Sequence, residues 1–451
     1  MISSLFDKDP SETPTPAEVA EQLLGRPRLR VPHRQQVEMH WRSLDELLEP
    51  DHPARLVWEA VCGLNLDRWS SQIKAVQGVV GRDTTDPRLL VALWIYATLE
   101  GVGSARELAR LCEKHVAYQW LCGGVTVNYH MLSDFRSRES GWSDLLTQLV
   151  ASLLAEGLVT MNRVAQDGMR VRASAGKASF RRRPTLETCL EEARQQVESL
   201  RQSADESPDA LTRRQRAARE RAARERAERV AQAIRNCEEL QTQREAIARK
   251  SGRKPTEARA STTDPEGRVM QFSDGGYRPG YNVQFSTATD SGIIVGVDVT
   301  AAGTDQDQLP PMLEQLEQRY GQVPEEALVD GGFAALEAID AAEEAGCTVY
   351  APLKEEKKQL AAGKDPYAKK AGDSVAVANW RARMGTAAAK ALYKLRCQTA
   401  EWVNAQARNR GLYQMPVRGL AKCRLVGLLY AIGHNLMQGM KLRADAAMRG
   451  G

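Results

Sequence analysis

The chain has 451 residues, 42% of them apolar and 27% charged, with a formal net charge of +4. That length leaves room for two or three domains with real cores, which excludes a disordered chain. The start, MISSLFDKDPSETPTP, lacks the basic-then-apolar order of a secretory signal, and the longest apolar stretch, Leu89 to Leu99, is too short for a bilayer span of about 20 residues.

Eight scattered cysteines, with no CxxC pair and no zinc-like spacing, read as free thiols, so the expectation is a cytoplasmic protein with no membrane partner. The charge is unevenly spread. From Arg381 to Gly451 there are 13 Lys/Arg against two acids, Glu401 and Asp445, and from Arg181 to Lys254 there are 19 Lys/Arg against 13 acids. A basic C-terminal part suits a polyanion partner; a solvated helical surface explains it equally well.

In chain order, residues 1–35 are Pro-rich and polar and read as a flexible leader. Residues 36–157 read as an all-helical domain. Asp86-Pro87 supplies an N-cap and a first-turn proline before LLVALWIYATLEG, closed by Gly101. Ser104 and Glu107 form a capping box for a helix through His115. Further helices are predicted from about Val127 to Arg138 and from Trp142 to Glu156, stopped by Gly157. The helix carrying His130, Ser133, Arg136 and Arg138 reads either as the reading helix of a helix-turn-helix, with Arg136 and Arg138 on DNA, or as one member of an ordinary bundle.

Residues 158–451 read as an α/β domain. VTMNRVAQDGMRVRA is strand-like around Asp167, and YNVQFSTATDSGIIVGVDVT reads as two strands joined at Asp290-Ser291-Gly292. A helix from about Gln308 to Tyr320, a short strand ALVDGGF containing Asp330, a helix from Leu336 to Glu344 and a strand CTVYAPL follow. Three strands, helix, strand, helix, strand is the ribonuclease H-like order, an antiparallel meander followed by α/β crossovers. Residues 181–260 interrupt it. There Leu186, Leu190, Val197 and Leu200 fall near one helical face, as do Val230, Ile234, Cys237 and Ile247, with Ser207-Pro208-Asp209 between. This predicts an inserted antiparallel helical hairpin, its Ala/Arg-rich stretch either a solvated face or a DNA contact.

Three carboxylates are candidates for phosphodiester chemistry, in which two cations activate the attacking oxygen and stabilise the leaving one. Asp167 lies in an otherwise apolar strand, where an unpaired carboxylate is costly. Asp330 ends a short strand and precedes Gly331-Gly332, which permits close approach. Both also suit plain Asp-Gly turns. On the first and fourth strands of the order above they would be neighbours. Glu401, the sole acid between Arg381 and Ala444, lies in a helical segment, WRARMGTAAAKALYKLRCQTAEWVNAQARNRG. On a straight α-helix Arg408 would share its face, whereas Arg396 would point elsewhere. A structural ion pair with arginines is the alternative use of Glu401.

Together these residues resemble the DDE transposases of bacterial insertion sequences, in the branch with a Tyr–Arg–Glu–Lys signature on the last catalytic helix. Here the signature reads Tyr393, Arg396, Glu401 and Arg408, with arginine where the family usually has lysine, and CQTAEWVNAQ lacks the usual bulky run after the glutamate. SLDELLEPDHPARLVWEAV and SARELARLCEKHVAYQWLCGG are similar to the family's N-terminal helical domain. AQDGMRVRASAG, TDPEGRVM with GYNVQFSTATD, LVDGGFA and MPVRGLAKCRLVGLLYAIGHNLMQ are similar to pieces of its catalytic part.

The resemblance implies a ribonuclease H-like core and Mg²⁺ (or Mn²⁺) held by Asp167, Asp330 and Glu401. It further implies double-stranded DNA partners (transposon ends and target) and a homodimer or larger synaptic complex. Tyr393, Arg396 and Arg408 would face DNA. Arg418 and Lys422 suit phosphate contacts or a plain charged surface, and His434, in an apolar helix beside Asn435, suits packing better than proton transfer. A nuclease without strand transfer and a DNA-binding scaffold on a decayed core are the alternative functions.

Overall fold

The computed structural model describes residues 41–73, 83–137, 139–202, 210–252 and 254–450. The leader, Arg138 and the Ser207-Pro208-Asp209 break lie outside the described residues.

The first part is helical: α1 (Pro53–Cys62), α2 (Asp67–Ser70), α3 (Pro87–Leu99), α4 (Ala105–Lys114), α5 (Val116–Cys122), α6 (Tyr129–Arg136) and α7 (Glu139–Ala155). The caps lie where the sequence puts them. The Asp86 side chain accepts from Arg88 N, and the Ser104 hydroxyl from Glu107 N. One helix starts later than expected, because Asn128 caps it and accepts from Met131 N. Helix α3 carries apolar residues on all sides rather than on one stripe, so it has to be surrounded. Ten of its 13 residues are buried, and the Trp94 indole N–H is satisfied by Leu132 O at 3.0 Å.

A mixed sheet follows: β1 (Arg163–Arg172), β4 (Arg268–Gln271), β5 (Tyr277–Ala288), β6 (Ile294–Thr300), β7 (Glu326–Leu328) and β8 (Thr348–Tyr350), with β2 (Phe180–Arg181) and β3 (Ala260–Ser261) forming a separate small pair. Strand β1 is antiparallel to β5 and parallel to β7, β7 is parallel to β8, and β4 and β6 both pair with β5. Helices α10 (Leu309–Tyr320) and α11 (Leu336–Glu344) make the crossovers. This is the expected meander followed by α/β crossovers, with β4 as an addition.

Between β2 and β3 run α8 (Arg183–Gln202) and α9 (Ala210–Ser251). They are antiparallel, since Arg183 pairs with Glu238 and Arg201 with Glu220. Leu186, Ala193, Val230, Ala233 and Cys237 are buried, but Ile247 is 66% exposed, against expectation. The reason is length: α8 begins opposite Glu238, so the last turns of α9 overhang their partner.

The C-terminal part contains α12 (Glu356–Ala361), α13 (Val375–Met384), α14 (Ala387–Tyr393), a π-helical turn (Cys397–Glu401), α15 (Trp402–Asn409) and α16 (Leu420–Gly450). Helix α16 packs against α3, α7 and β6, so one apolar core runs from Trp94 and Trp142 to Phe285 and Tyr430. Two side-chain amides serve the exposed edge of β6 as a further strand would. Asn435 bonds both N–H and C=O of Ile294 (2.8 and 2.7 Å), and Gln315 does the same for Val297 (3.0 and 3.0 Å). A covered edge cannot pair with another chain.

Candidate active site

The site starts from the pairing of β1 and β7. Their parallel register ends at Ala165 opposite Leu328. Asp167 and Asp330 each follow two residues later, so two carboxylates leave neighbouring strands at the same level. Asp330 is fixed by its own turn, its Oδ1 accepting from Gly332 N at 2.7 Å. The third element arrives because small residues let it: Ala400, in the π-helical turn, packs directly on Ala165 and Leu328.

Arg396 joins β1 to the π-helical turn. Its guanidinium lies 3.0 Å from Asp167 Oδ1 and 2.8 Å from Glu401 Oε1, and its side chain is 9% exposed. The straight-helix reading, with Arg396 facing away from Glu401, is corrected. A π-helical turn bonds at i→i+5, which brings side chains five apart onto one face, and Arg396 and Glu401 are five apart. The long helix predicted here is also broken, between Met384 and Ala387 and again at the π turn.

Burial pushes the Asp167 carboxyl above the usual carboxylate range; Arg396 opposes this, while Asp330 and Asp305 add to it. Burial alone would weaken the proton affinity of Arg396, but Asp167, Tyr393, Asp330 and Glu401 outweigh it and strengthen it. Tyr393, pushed up to about 12 chiefly by burial, belongs to the same electrostatic cluster.

Sequence reasoning missed two members of this neighbourhood. Asn404, buried and three residues after Glu401, donates Nδ2 to Asp167 Oδ2 at 3.0 Å, and its Oδ1 is buried without a partner. Asp305, 6% exposed, accepts from Asn282 (2.6 Å) and Gln284 (2.7 Å) and pairs with Arg170 (3.2 Å). Gly168 makes room for it, since a Cβ there would stand 1.9 Å from Asp305 Oδ1. The helical spacing of Asn404 from Glu401 was a usable signal; the polar run TDQDQ around Asp305 was not.

Among the described residues no three His, Cys, Asp or Glu side chains gather closely enough to hold one metal ion. The cation between Asp167 and Glu401 is the Arg396 guanidinium. The donors around it are carboxylate oxygens, the ligand type that Mg²⁺ prefers.

The other candidates fall in different places. Arg408 is exposed on the wall of a groove beside Gly168. Arg418 donates to Ser174 O at 3.1 Å, and both Arg418 and Lys422 are exposed on the rim of a separate cavity. Arg136 is corrected: it is buried, bonds Gly103 O at 2.6 Å and lies 4.3 Å over the Trp94 ring, and burial pulls its pKa down to about 10. It faces inward because α6 turns that side to α3. His434 is packed as expected, 4% exposed, with Nε2 2.9 Å from Gly292 O.

Two family models match the chain. Residues 42–138 match the Transposase domain (DUF772), and residues 234–410 match the Transposase DDE domain. Neither the curated proteins nor the solved structures yielded a match. The helical match covers all of α1–α6 (Pro53–Arg136), and the DDE match covers the end of α9 and everything from β3 to α15, with Asp330 and Glu401. On these two matches the chain belongs to the DDE transposases of insertion sequences.

Proposed function

We propose that the protein cuts transposon-end DNA and joins the freed 3′ end to target DNA. In this reading Asp167, Asp330 and Glu401 hold Mg²⁺ (Mn²⁺ also fits), and the remaining Tyr–Arg–Glu–Lys positions are Tyr393, Arg396 and Arg408. The observation that carries it is the convergence of Asp167 and Glu401 on one cation, with Asp330 level with Asp167 on the neighbouring strand. When bound, a pair of such ions activates the attacking oxygen and stabilises the leaving one.

The chain's own residues do the rest. Asn404 fixes the rotamer of Asp167 through Oδ2. Arg396 neutralises Asp167 and Glu401, and with Mg²⁺ held by those carboxylates its fork would be available to phosphate. Arg408 supplies positive charge at the edge, where arginine keeps the family's charge in a planar form. Arg418 and Lys422 contact phosphates farther along the duplex.

Asp167→Asn and Asp330→Asn each remove a ligand at nearly constant volume. Each variant should lose metal-dependent cleavage of an end-containing duplex by several orders of magnitude, with binding in EDTA nearly unchanged. Cutting at the wild-type rate by either variant removes that residue from the site. Products joined to a second DNA separate a transposase from a nuclease, and no cutting by the wild type points to a scaffold.

A further inference from the structure

A groove of about 560 Å³ opens beside Gly168, the neighbour of Asp167, and no acid lines it. Its walls carry Arg170, Arg172, Arg278 and Arg408 with Phe272 and Tyr413. The arginines differ in what they have left to give. Arg170 is held by Asp305 and Gly303 O, and Arg278 is paired with Asp274 and stacked 5.5 Å over Phe272. Arg172 and Arg408 are exposed, and neither has a carboxylate partner among the described residues. Tyr413 is 61% exposed, yet its backbone is fixed: Arg172 N donates to Tyr413 O at 3.0 Å and Met415 N to Arg172 O at 2.8 Å. An aromatic ring is thus presented on a rigid rim next to an uncompensated guanidinium. Gly168 and Gly303 leave part of the lining free of side chains.

Uncompensated arginines attract phosphates, and a fixed, exposed ring offers a stacking face. A duplex presents no free base face to such a ring. The groove is also the size of a small-ligand pocket, which suits a few nucleotides of one strand. We propose that it holds a single, unpaired DNA strand, with phosphates on Arg172 and Arg408 and a base on Tyr413. The assignment rests on the reading of the protein as DNA-processing, but its test involves no metal and no cutting, so either can fail alone.

The test is fluorescence anisotropy with the full chain in EDTA, using a labelled 20-nucleotide single strand and the blunt duplex of the same sequence across a salt series. Tyr413→Ala should weaken single-strand binding about tenfold and duplex binding far less, with Tyr413→Phe close to wild type. Arg172→Ala should flatten the log–log salt slope for the single strand by about 0.7, the value for one lost phosphate contact. Arg194→Ala, exposed on α8 and not part of the groove lining, serves as the control and should leave both unchanged. Equal losses on single strand and duplex would overturn the strand assignment, as would Tyr413→Ala and Arg172→Ala variants that bind the single strand like wild type.

Discussion

Arg396 joins a half-buried aspartate on a central strand to a half-exposed glutamate on a π-helical turn, its side chain 9% exposed between partners that are 16% and 50% exposed. Removing one member of a buried pair leaves the other charge uncompensated, at a typical cost of about 3 kcal/mol; the Glu401 arm, facing solvent, adds little. Arg396→Ala should therefore lower the melting temperature by several degrees in EDTA, because Asp167 then loses the cation that offsets its burial and its neighbour Asp330. If the place between Asp167 and Glu401 is a cation site, millimolar Mg²⁺ should recover part of that loss and should stabilise Arg396→Ala more than wild type. Identical Mg²⁺ responses in melts of the two proteins would count against a metal there. The strand order made the closeness of Asp167 and Asp330 legible in the sequence, but not the bridge that Arg396 makes from Asp167 to Glu401. An α-helical wheel puts Arg396 on the wrong side, and only the widened turn brings it round.

Most elements were legible because each end carries a local chemical mark: Asp86 and Ser104 as caps, Gly101 and Gly157 at positive φ, and Asp290-Ser291-Gly292 with Gly292 at φ 71°. What local marks cannot show is a cap supplied from far away, and α16 has such a cap. Asp264 Oδ1 accepts from Gly419 N at 3.1 Å and from the Tyr281 hydroxyl at 2.7 Å, and Glu266 Oε2 accepts from Leu420 N at 2.8 Å. The DPEGRV segment thus places two acids at the N-terminus of a 31-residue helix, where the helix dipole favours negative charge. Asp264 carries a cost: burial raises its carboxyl above the usual range, and Oδ2 is buried without a partner. Asp264→Ala, which uncaps α16 and strands the Tyr281 hydroxyl, should lose about 2–3 kcal/mol in denaturant unfolding. Asp264→Asn keeps an acceptor and sheds the buried charge, so it should lose less than half as much. Equal losses for the two would show that the charge, not the acceptor, matters.

At the scale of the whole molecule, the helical part and the sheet meet around α16, and no single-element reading could foresee the contacts there. Arg319 on α10 ties to Ser143 O and Thr147 Oγ1 of α7 at 3.0 and 2.9 Å, and His434 of α16 sits between the β5–β6 turn and Trp402, the residue after Glu401. His434 makes this junction sensitive to acid. Burial depresses its pKa to about 4, with the Gly292 carbonyl bond opposing in part. Since that carbonyl can only accept, Nε2 carries the proton and the ring is neutral in the folded state. The unfolded chain protonates it near the ordinary value of about 6.5. Between those two values the unfolded state binds more protons, so stability falls as pH drops from about 6.5 toward 4 and is fully present above that window. At about 1.4 kcal/mol per pH unit, the loss between pH 6.5 and 5 is about 2 kcal/mol, or a few degrees of melting temperature. His434→Gln keeps a donor for Gly292 O but cannot titrate. It should start somewhat less stable at pH 7.5 and lose a few degrees less than wild type on going to pH 5. Parallel melting-temperature curves for the two proteins over that range would show that the acid sensitivity resides in other groups.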